Sequence, residues 1–112
     1  MIEKIVQDWL EANMSDVPVF GEKPDVPPEM FLVVNKTGSS VSNHIYSATI
    51  TVQSYAPSKF EAAELNELAK AAMEPIIALQ TVSRCQLNSD YYYPDTSTKA
   101  YRYQAVFDIV HY

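Results

Sequence analysis

The sequence predicts an α+β fold of two layers, in which helices pack on a mainly antiparallel four-stranded sheet in the element order α-β-β-α-β-β. Two segments of the chain carry apolar residues at helical spacing. Each is followed by two runs rich in β-branched and aromatic residues, which predict a pair of hairpins. The length of 112 residues suits one core, so residues 1–112 are predicted to form a single domain.

The first helix is predicted at the N-terminus, where apolar side chains recur at helical spacing between charged and amide residues as far as Asn13. The next stretch, DVPVFGEKPDVPPE, holds four prolines and one glycine in fourteen residues. Proline fixes φ and has no N–H to donate. This stretch is therefore predicted to be extended and irregular, with at most a short edge strand near Val17–Phe20.

The first hairpin is predicted from the β-type run MFLVVNK and the alternating run IYSATITVQSY. Between them, TGSSVSNH has the composition of a long polar loop. The segment from Lys36 to His44 is too long for a two-residue hairpin turn, so we expect it to be mobile in the free chain.

The second helix is predicted in the run APSKFEAAELNELAKAAMEP. Ser58 and Glu61 have the spacing of a capping box, and Pro75 is expected to end the helix. An apolar stripe is predicted to face the sheet, and it comprises Phe60, Leu65, Leu68, Ala72 and Met73.

The last two strands are predicted in TVSRCQLNSDYYY and KAYRYQAVFDIVHY, on either side of a polar loop. Tyr101 and Tyr103 share one face with Phe107, so they are expected to pack against the helices. The consecutive residues Tyr91–Tyr93 cannot all face one way. They either pack within the hairpin, or at least one of them lies at an interface with another protein.

Charge and composition argue against several functional classes. The net charge is −6 and the eight basic residues form no run, so a phosphate-binding surface is not expected. No apolar run approaches the roughly 20 residues that span a bilayer. The N-terminal run MIEKIVQDWL lacks a signal-peptide pattern, so a cytoplasmic protein without membrane contact is expected.

Residues that could support chemistry are few and scattered. His44 and His111 lack metal-ligand spacing, and the only two glycines, Gly21 and Gly38, form no phosphate loop. Cys85 is the single cysteine, lies mid-strand and is expected to act as a small buried apolar residue. We therefore predict no catalytic residue, no metal site and no bound cofactor.

The predicted sheet has one unusually polar surface. Thr49, Thr51 and Gln53 alternate on one strand and are expected to neighbour Gln104 and Asp108 on another. Such a surface can be solvated or can form a seam between subunits, and the sequence leaves both interpretations open.

Three segments, NKTGSSVSNHI, QSYAPSKFEAAELNE and YRYQAVFDIVHY, resemble the small tail completion, or tail terminator, proteins of long-tailed bacteriophages and prophages. The resemblance extends over nearly the whole chain. It implies an α+β fold and assembly as a homo-oligomer, usually a hexameric ring, on the end of the tail tube. Such a ring stops tube polymerisation and offers a surface for head-tail joining. The family has no catalytic residues to transfer to this sequence.

The resemblance also implies partners and a location. The partners are further copies of the chain, the tail tube protein and a head-tail connector protein, with DNA passing through the ring without specific binding. The location is the bacterial host cytoplasm during assembly and then the head-proximal end of the virion tail. We expect contacts in the polar loop and the tyrosine run, and the candidate residues are Thr37, Gly38, Ser39, Ser40, Asn43, His44, Tyr91, Tyr92 and Tyr93.

Two other functional interpretations remain open from the sequence. One is a neighbouring head-tail connector or adaptor protein. The other is a small enzyme or ligand-binding domain, in which Asp90, Tyr91 and Arg102 line a pocket. Converging polar groups in a deep apolar cavity would favour the second, and an open sheet face without a cavity would count against it.

Overall fold

The computed structural model of the protein describes residues 1–112. Its elements, in chain order, are α1 (Ile2–Asn13), β1 (Val19–Phe20), β2 (Phe31–Ser42), β3 (Ile45–Ala56), α2 (Lys59–Met73), a 3-10 helix (Glu74–Ala78), β4 (Val82–Tyr92) and β5 (Tyr101–His111). The strands form one five-stranded sheet in the order β1-β2-β3-β5-β4. Neither α-helix has the length and apolar character that crossing a membrane requires.

The predicted α+β class is confirmed, but the predicted four-stranded antiparallel sheet and the element order α-β-β-α-β-β are wrong, since three strands lie between α1 and α2. The sheet is mixed because β1 pairs in parallel with β2, with Val19 opposite Leu32. Pro18 can precede this strand because it needs no N–H there, and its carbonyl accepts a hydrogen bond from the Leu32 N–H at 2.9 Å. A strand of two residues is too short to give a periodic pattern, so the sequence indicated at most an edge strand.

Both α-helices pack on the same face of the sheet, which we call the helix side. The main core lies there and contains 17 buried residues: Ile2, Val6, Leu10, Val19, Leu32, Val34, Ala48, Ile50, Val52, Leu65, Ala69, Met73, Ile76, Val82, Ala105, Phe107 and Ile109. Trp9 joins the two helices, since its indole N–H donates to the Ala72 carbonyl at 2.8 Å. The helix layer therefore fixes which sheet surfaces remain open.

The start of α2 is confirmed, since the Glu61 N–H donates to the Ser58 hydroxyl at 3.2 Å. The predicted apolar stripe is partly wrong. Phe60 and Leu68 are 73% and 61% exposed. The buried side of α2 is formed instead by Ala62, Leu65, Asn66, Ala69 and Met73. Phe60 and Leu68 lie outside this side of the helix, so they remain on the outer surface.

The prediction of a long loop between β2 and β3 is also wrong, because β2 continues to Ser42. The turn has only two residues, Asn43 and His44, with φ of 52° and 64°. A tight hairpin turn requires positive φ at both positions, and asparagine and histidine are among the non-glycine residues that tolerate it. A bulge between Lys36 and Gly38 absorbs the extra residue in β2.

The second hairpin, β4–β5, has two bulges in β4, between Val82 and Arg84 and between Leu87 and Ser89. A bulge places an unpaired residue in one strand and shifts which side the following residues face. Past the second bulge, Asp90 lies opposite the core residue Ala105. Asp90 therefore faces the helix side, and the next residue in the strand faces the opposite side.

The molecule is elongated along its strands, with principal extents of 43 × 26 × 23 Å. β3 and β5 pair from Tyr46 opposite His111 to Ala56 opposite Tyr101. At about 3.4 Å per residue, these two residue pairs are roughly 34 Å apart along the strands. One end of the sheet carries the β2–β3 turn, and the other carries the tyrosine run.

Candidate interaction surfaces

Six of the predicted contact residues lie together in the outer part of the β2–β3 hairpin. We call residues 36–46 the hairpin arm, and every one of them is solvent-exposed. The six are Thr37, Gly38, Ser39, Ser40, Asn43 and His44. β1 pairs only with Leu32 and Val33, so no strand covers the outer edge of the arm. The Lys36 N–H on this edge donates to the Glu3 carboxylate at 2.6 Å, which ties the base of the arm to α1.

The arm presents apolar side chains beyond the helix layer. Val41 lies opposite Tyr46, and the two are 62% and 44% exposed. Both face the helix side, and the Tyr46 ring stacks on the His111 ring with centroids 5.8 Å apart. Exposed aliphatic and aromatic side chains of this kind are typical of protein interfaces.

The predicted polar neighbours are confirmed on the sheet face away from the helices, which we call the open face. Thr49 lies opposite Asp108, and the Gln53 amide donates to the Gln104 side-chain oxygen at 2.9 Å. Small side chains beside Thr49 leave an open hollow of about 340 Å³ between β2, β3 and β5. Gly38 and Ser40 lie on its rim, so this hollow borders the hairpin arm.

Tyr91 and Tyr93 form the exposed part of the tyrosine run, with 43% and 46% of their surfaces accessible. Their rings meet edge to face with centroids 6.0 Å apart. The Gln104 amide donates to the Tyr91 hydroxyl at 2.6 Å, and the Arg102 guanidinium lies 4.3 Å from the centre of the Tyr93 ring. These contacts hold two large aromatic rings in place at the end of the open face.

The structure separates Tyr92 from its two neighbours. Tyr92 faces the helix side, is half-buried, and packs on Tyr103 with ring centroids 5.2 Å apart. The Lys59 ammonium lies 4.7 Å from the centre of the Tyr92 ring, which adds a cation–π contact. Tyr101 was expected to be covered by the helices, but it is 41% exposed at the end of the sheet, opposite Ala56 and beside the start of α2.

A second, smaller core on the open face was missed by the sequence analysis. Phe31, Val33 and Tyr55 are buried there, and the Phe31 and Tyr55 rings stack with centroids 4.4 Å apart. Arg102 Nη1 donates to the Tyr55 hydroxyl at 2.9 Å. The continuous apolar run FLVV is the signal that could have indicated it, because a strand buried on both faces is apolar at every position.

Asp95 organises the loop between β4 and β5. One of its carboxylate oxygens accepts hydrogen bonds from the Ser97 N–H at 3.2 Å and from the Ser97 hydroxyl at 2.7 Å. The other lies 3.3 Å from Lys23 Nζ, which ties the proline-rich segment to this loop. The hydrogen bonds from Ser97, and then those from Lys23 and Thr98, hold the pKa of the Asp95 carboxyl well below its ordinary value of 3.8.

This pKa shift predicts a pH dependence of stability. A carboxyl with a depressed folded pKa stabilises the fold above its unfolded pKa, and the contribution is lost as the pH falls through the folded value. We therefore expect Asp95→Asn to lower the melting temperature at neutral pH. The difference in melting temperature between the variant and the wild type should narrow as the pH falls below 3.8, the ordinary pKa of this carboxyl. Thermal unfolding of both proteins from pH 7 downwards measures this. A gap that stays constant to strongly acidic pH would contradict the assignment.

The pocket considered for a ligand-binding domain is not assembled. Asp90 faces the helix side, where Asn66 Nδ2 and Lys70 Nζ donate to it at 2.9 and 3.0 Å. Tyr91 and Arg102 lie on the open face, so the three side chains do not converge. Hydrogen bonds to Glu67, and then to Asp90, raise the pKa of Lys70.

Other reactive groups are likewise isolated. Burial raises the pKa of the Cys85 thiol to about 11, which makes it a poor nucleophile at neutral pH. No three His, Cys, Asp or Glu side chains lie close enough together to hold a metal ion. The predicted contact residues thus lie in two regions, the hairpin arm and the Tyr91–Tyr93 region, at opposite ends of the sheet. Neither a scan against protein-family models nor a search of curated proteins gave a match for this chain.

Proposed function

We propose that the chain is a structural assembly protein, the tail terminator of a long-tailed bacteriophage or prophage. In this role it caps the tail tube, stops tube polymerisation and provides the surface for head-tail joining, without catalysis, metal or cofactor. The proposal originates in the resemblance of nearly the whole sequence to that family. The observation that carries it is the placement of two exposed surfaces at opposite ends of a sheet about 34 Å long.

Two unlike surfaces at opposite ends suit a closed ring. A cyclic assembly of more than two copies uses head-to-tail contacts, in which one patch of each copy meets a different patch of the next. The hairpin arm and the Tyr91–Tyr93 region differ in shape and chemistry, so neither needs to be self-complementary. One of them can also remain available for the tail tube or the connector protein.

The charge of the chain fits a ring through which DNA passes. Affinity for DNA comes mainly from lysine and arginine side chains that neutralise phosphates. With 14 acidic and 8 basic residues, the chain is expected to repel rather than retain a phosphate backbone. The proposed partners are therefore proteins, namely further copies of the chain, the tail tube protein and a head-tail connector protein. The proposed location is the bacterial cytoplasm during assembly and the head-proximal end of the tail in the finished virion.

Deletion of the gene from its phage or prophage tests this proposal. We expect tail tubes of uncontrolled length that lack heads, because nothing stops tube growth or joins it to the capsid. Electron microscopy of induced lysates measures both properties, and expression of the chain from a plasmid serves as the control. Normal tail lengths with attached heads in the deletion strain would contradict the proposed function.

A further inference from the structure

The outer face of α2 carries an exposed surface that packing within one chain does not explain. Phe60 and Leu68 are 73% and 61% exposed, and their spacing of eight residues places them on the same side of the helix. Glu61 and Glu64 are exposed beside them and take part in none of the chain's ion pairs. This surface, which we call the α2 outer face, is therefore both apolar and acidic.

The hairpin arm has the opposite charge character. The chain has 14 acidic residues, but none lies between Glu29 and Glu61. On its helix side the arm combines the exposed pair Val41 and Tyr46 with Lys36, whose ammonium group forms no ion pair. This side of the arm is therefore apolar and weakly basic.

We propose that the hairpin arm of one copy docks on the α2 outer face of a neighbouring copy. Val41 and Tyr46 cover Phe60 and Leu68 in this contact, and Lys36 approaches the glutamates of α2. The opposite charges favour this relative orientation of the two copies, and the apolar side chains supply most of the buried contact area.

The positions of the two surfaces make this contact head-to-tail. α2 begins directly after the end of β3, so Phe60 lies at the end of the sheet opposite the β2–β3 turn. Each copy then has the hairpin arm at one end and the α2 outer face toward the other. Repetition of such a contact gives a ring when its rotation closes. The inference thus rests on the proposed ring assembly and names the surfaces that form it, which leaves Tyr91 and Tyr93 for the tail tube or the connector.

Cysteine cross-linking tests the contact. Two full-length variants are prepared in a Cys85→Ser background, one with Val41→Cys and the other with Leu68→Cys, and each carries a tag of different mass. We expect oxidation of the mixture to give covalent dimers that contain one copy of each variant, at least about tenfold above a control pair, because docking raises the local concentration of the two thiols. The control pair replaces Leu68→Cys by Glu11→Cys, at an exposed position on α1.

A chain that carries both Val41→Cys and Leu68→Cys should form a ladder of larger covalent species. Dimers between two Val41→Cys copies in place of mixed dimers would overturn the proposal in favour of a symmetric contact. Mixed dimers no more abundant than those of the control pair would overturn it as well.

Charge reversal gives an independent readout. We expect Glu64→Lys in the Leu68→Cys variant to reduce the yield of mixed dimers and Lys36→Glu in the Val41→Cys variant to restore it, whereas Glu11→Lys in the Leu68→Cys variant leaves it unchanged. Equal effects of Glu64→Lys and Glu11→Lys would overturn the role of the α2 outer face. If the wild-type chain caps tail tubes but these cross-links are absent, this contact fails and the proposed function stands. If the cross-links form but tail length is unaffected by gene deletion, the contact stands and the proposed function fails.

Discussion

Tyr55→Ala is expected to lower the free energy of unfolding by about 3–5 kcal/mol, the range measured for truncating a buried aromatic side chain. Tyr55 is 4% exposed and stacks on Phe31 in the small core of the open face. Its hydroxyl accepts a hydrogen bond from Arg102, which also contacts the Tyr93 ring. Loss of the ring leaves a cavity and removes the support of the Arg102 side chain. Urea unfolding followed by circular dichroism measures the change.

Tyr55→Phe is the matched control for this substitution. It keeps the stacked ring and removes only the hydroxyl, so we expect a loss of about 0.5–1.5 kcal/mol, typical of one hydrogen bond. Equal losses for the two variants would mean that the ring adds nothing to stability. The small core on the open face would then be assigned wrongly.

Tyr93→Ala is expected to leave thermal unfolding nearly unchanged and to weaken partner binding by about 2 kcal/mol or more, roughly 30-fold. Tyr93 is 46% exposed, and Arg102 holds it in place at the end of the open face. An aromatic side chain fixed in position before binding costs little conformational entropy when it is buried by a partner. Binding of the purified chain to tail tubes, measured by co-sedimentation, gives the affinity.

Tyr92→Ala is the control for this prediction because its side chain faces the helix layer. Its half-buried contact with Tyr103 predicts a loss of stability of about 1–3 kcal/mol with little change in the affinity of the folded fraction. The two variants should therefore separate on the two assays. If Tyr93→Ala unfolds the chain while the folded fraction binds tubes normally, the exposed tyrosines belong to the fold and not to an interface.

Much of the fold followed from local patterns. The capping box at Ser58 and the alternation along β3 each predicted their element, because they reflect local hydrogen bonding and a period of two. The local patterns did not predict the parallel strand β1. Its two residues pair with a strand that begins eleven positions after Phe20, and such a contact leaves no local signal.

The candidate contact residues were predicted in part. The exposure of the residues around Gly38 followed from their polar composition, but their strand conformation did not, since Asn43 and His44 form a tight turn without glycine. The three consecutive tyrosines were expected to divide between faces. Which of them faces the helices depends on the bulge between Leu87 and Ser89, and this register shift is set by pairing with β5. Phe60 is exposed because the side of α2 that packs on the sheet is formed by Ala62, Leu65, Ala69 and Met73.

The length of tail tubes assembled in vitro tests the central claim most directly. The tail tube protein of the phage or prophage proposed to encode this chain is allowed to polymerise with and without the purified chain, and tube lengths are measured by electron microscopy. The proposed function predicts that the chain stops elongation, with one ring at one end of each tube. Tubes of unchanged length, grown in the presence of saturating folded chain and without rings at their ends, would contradict it.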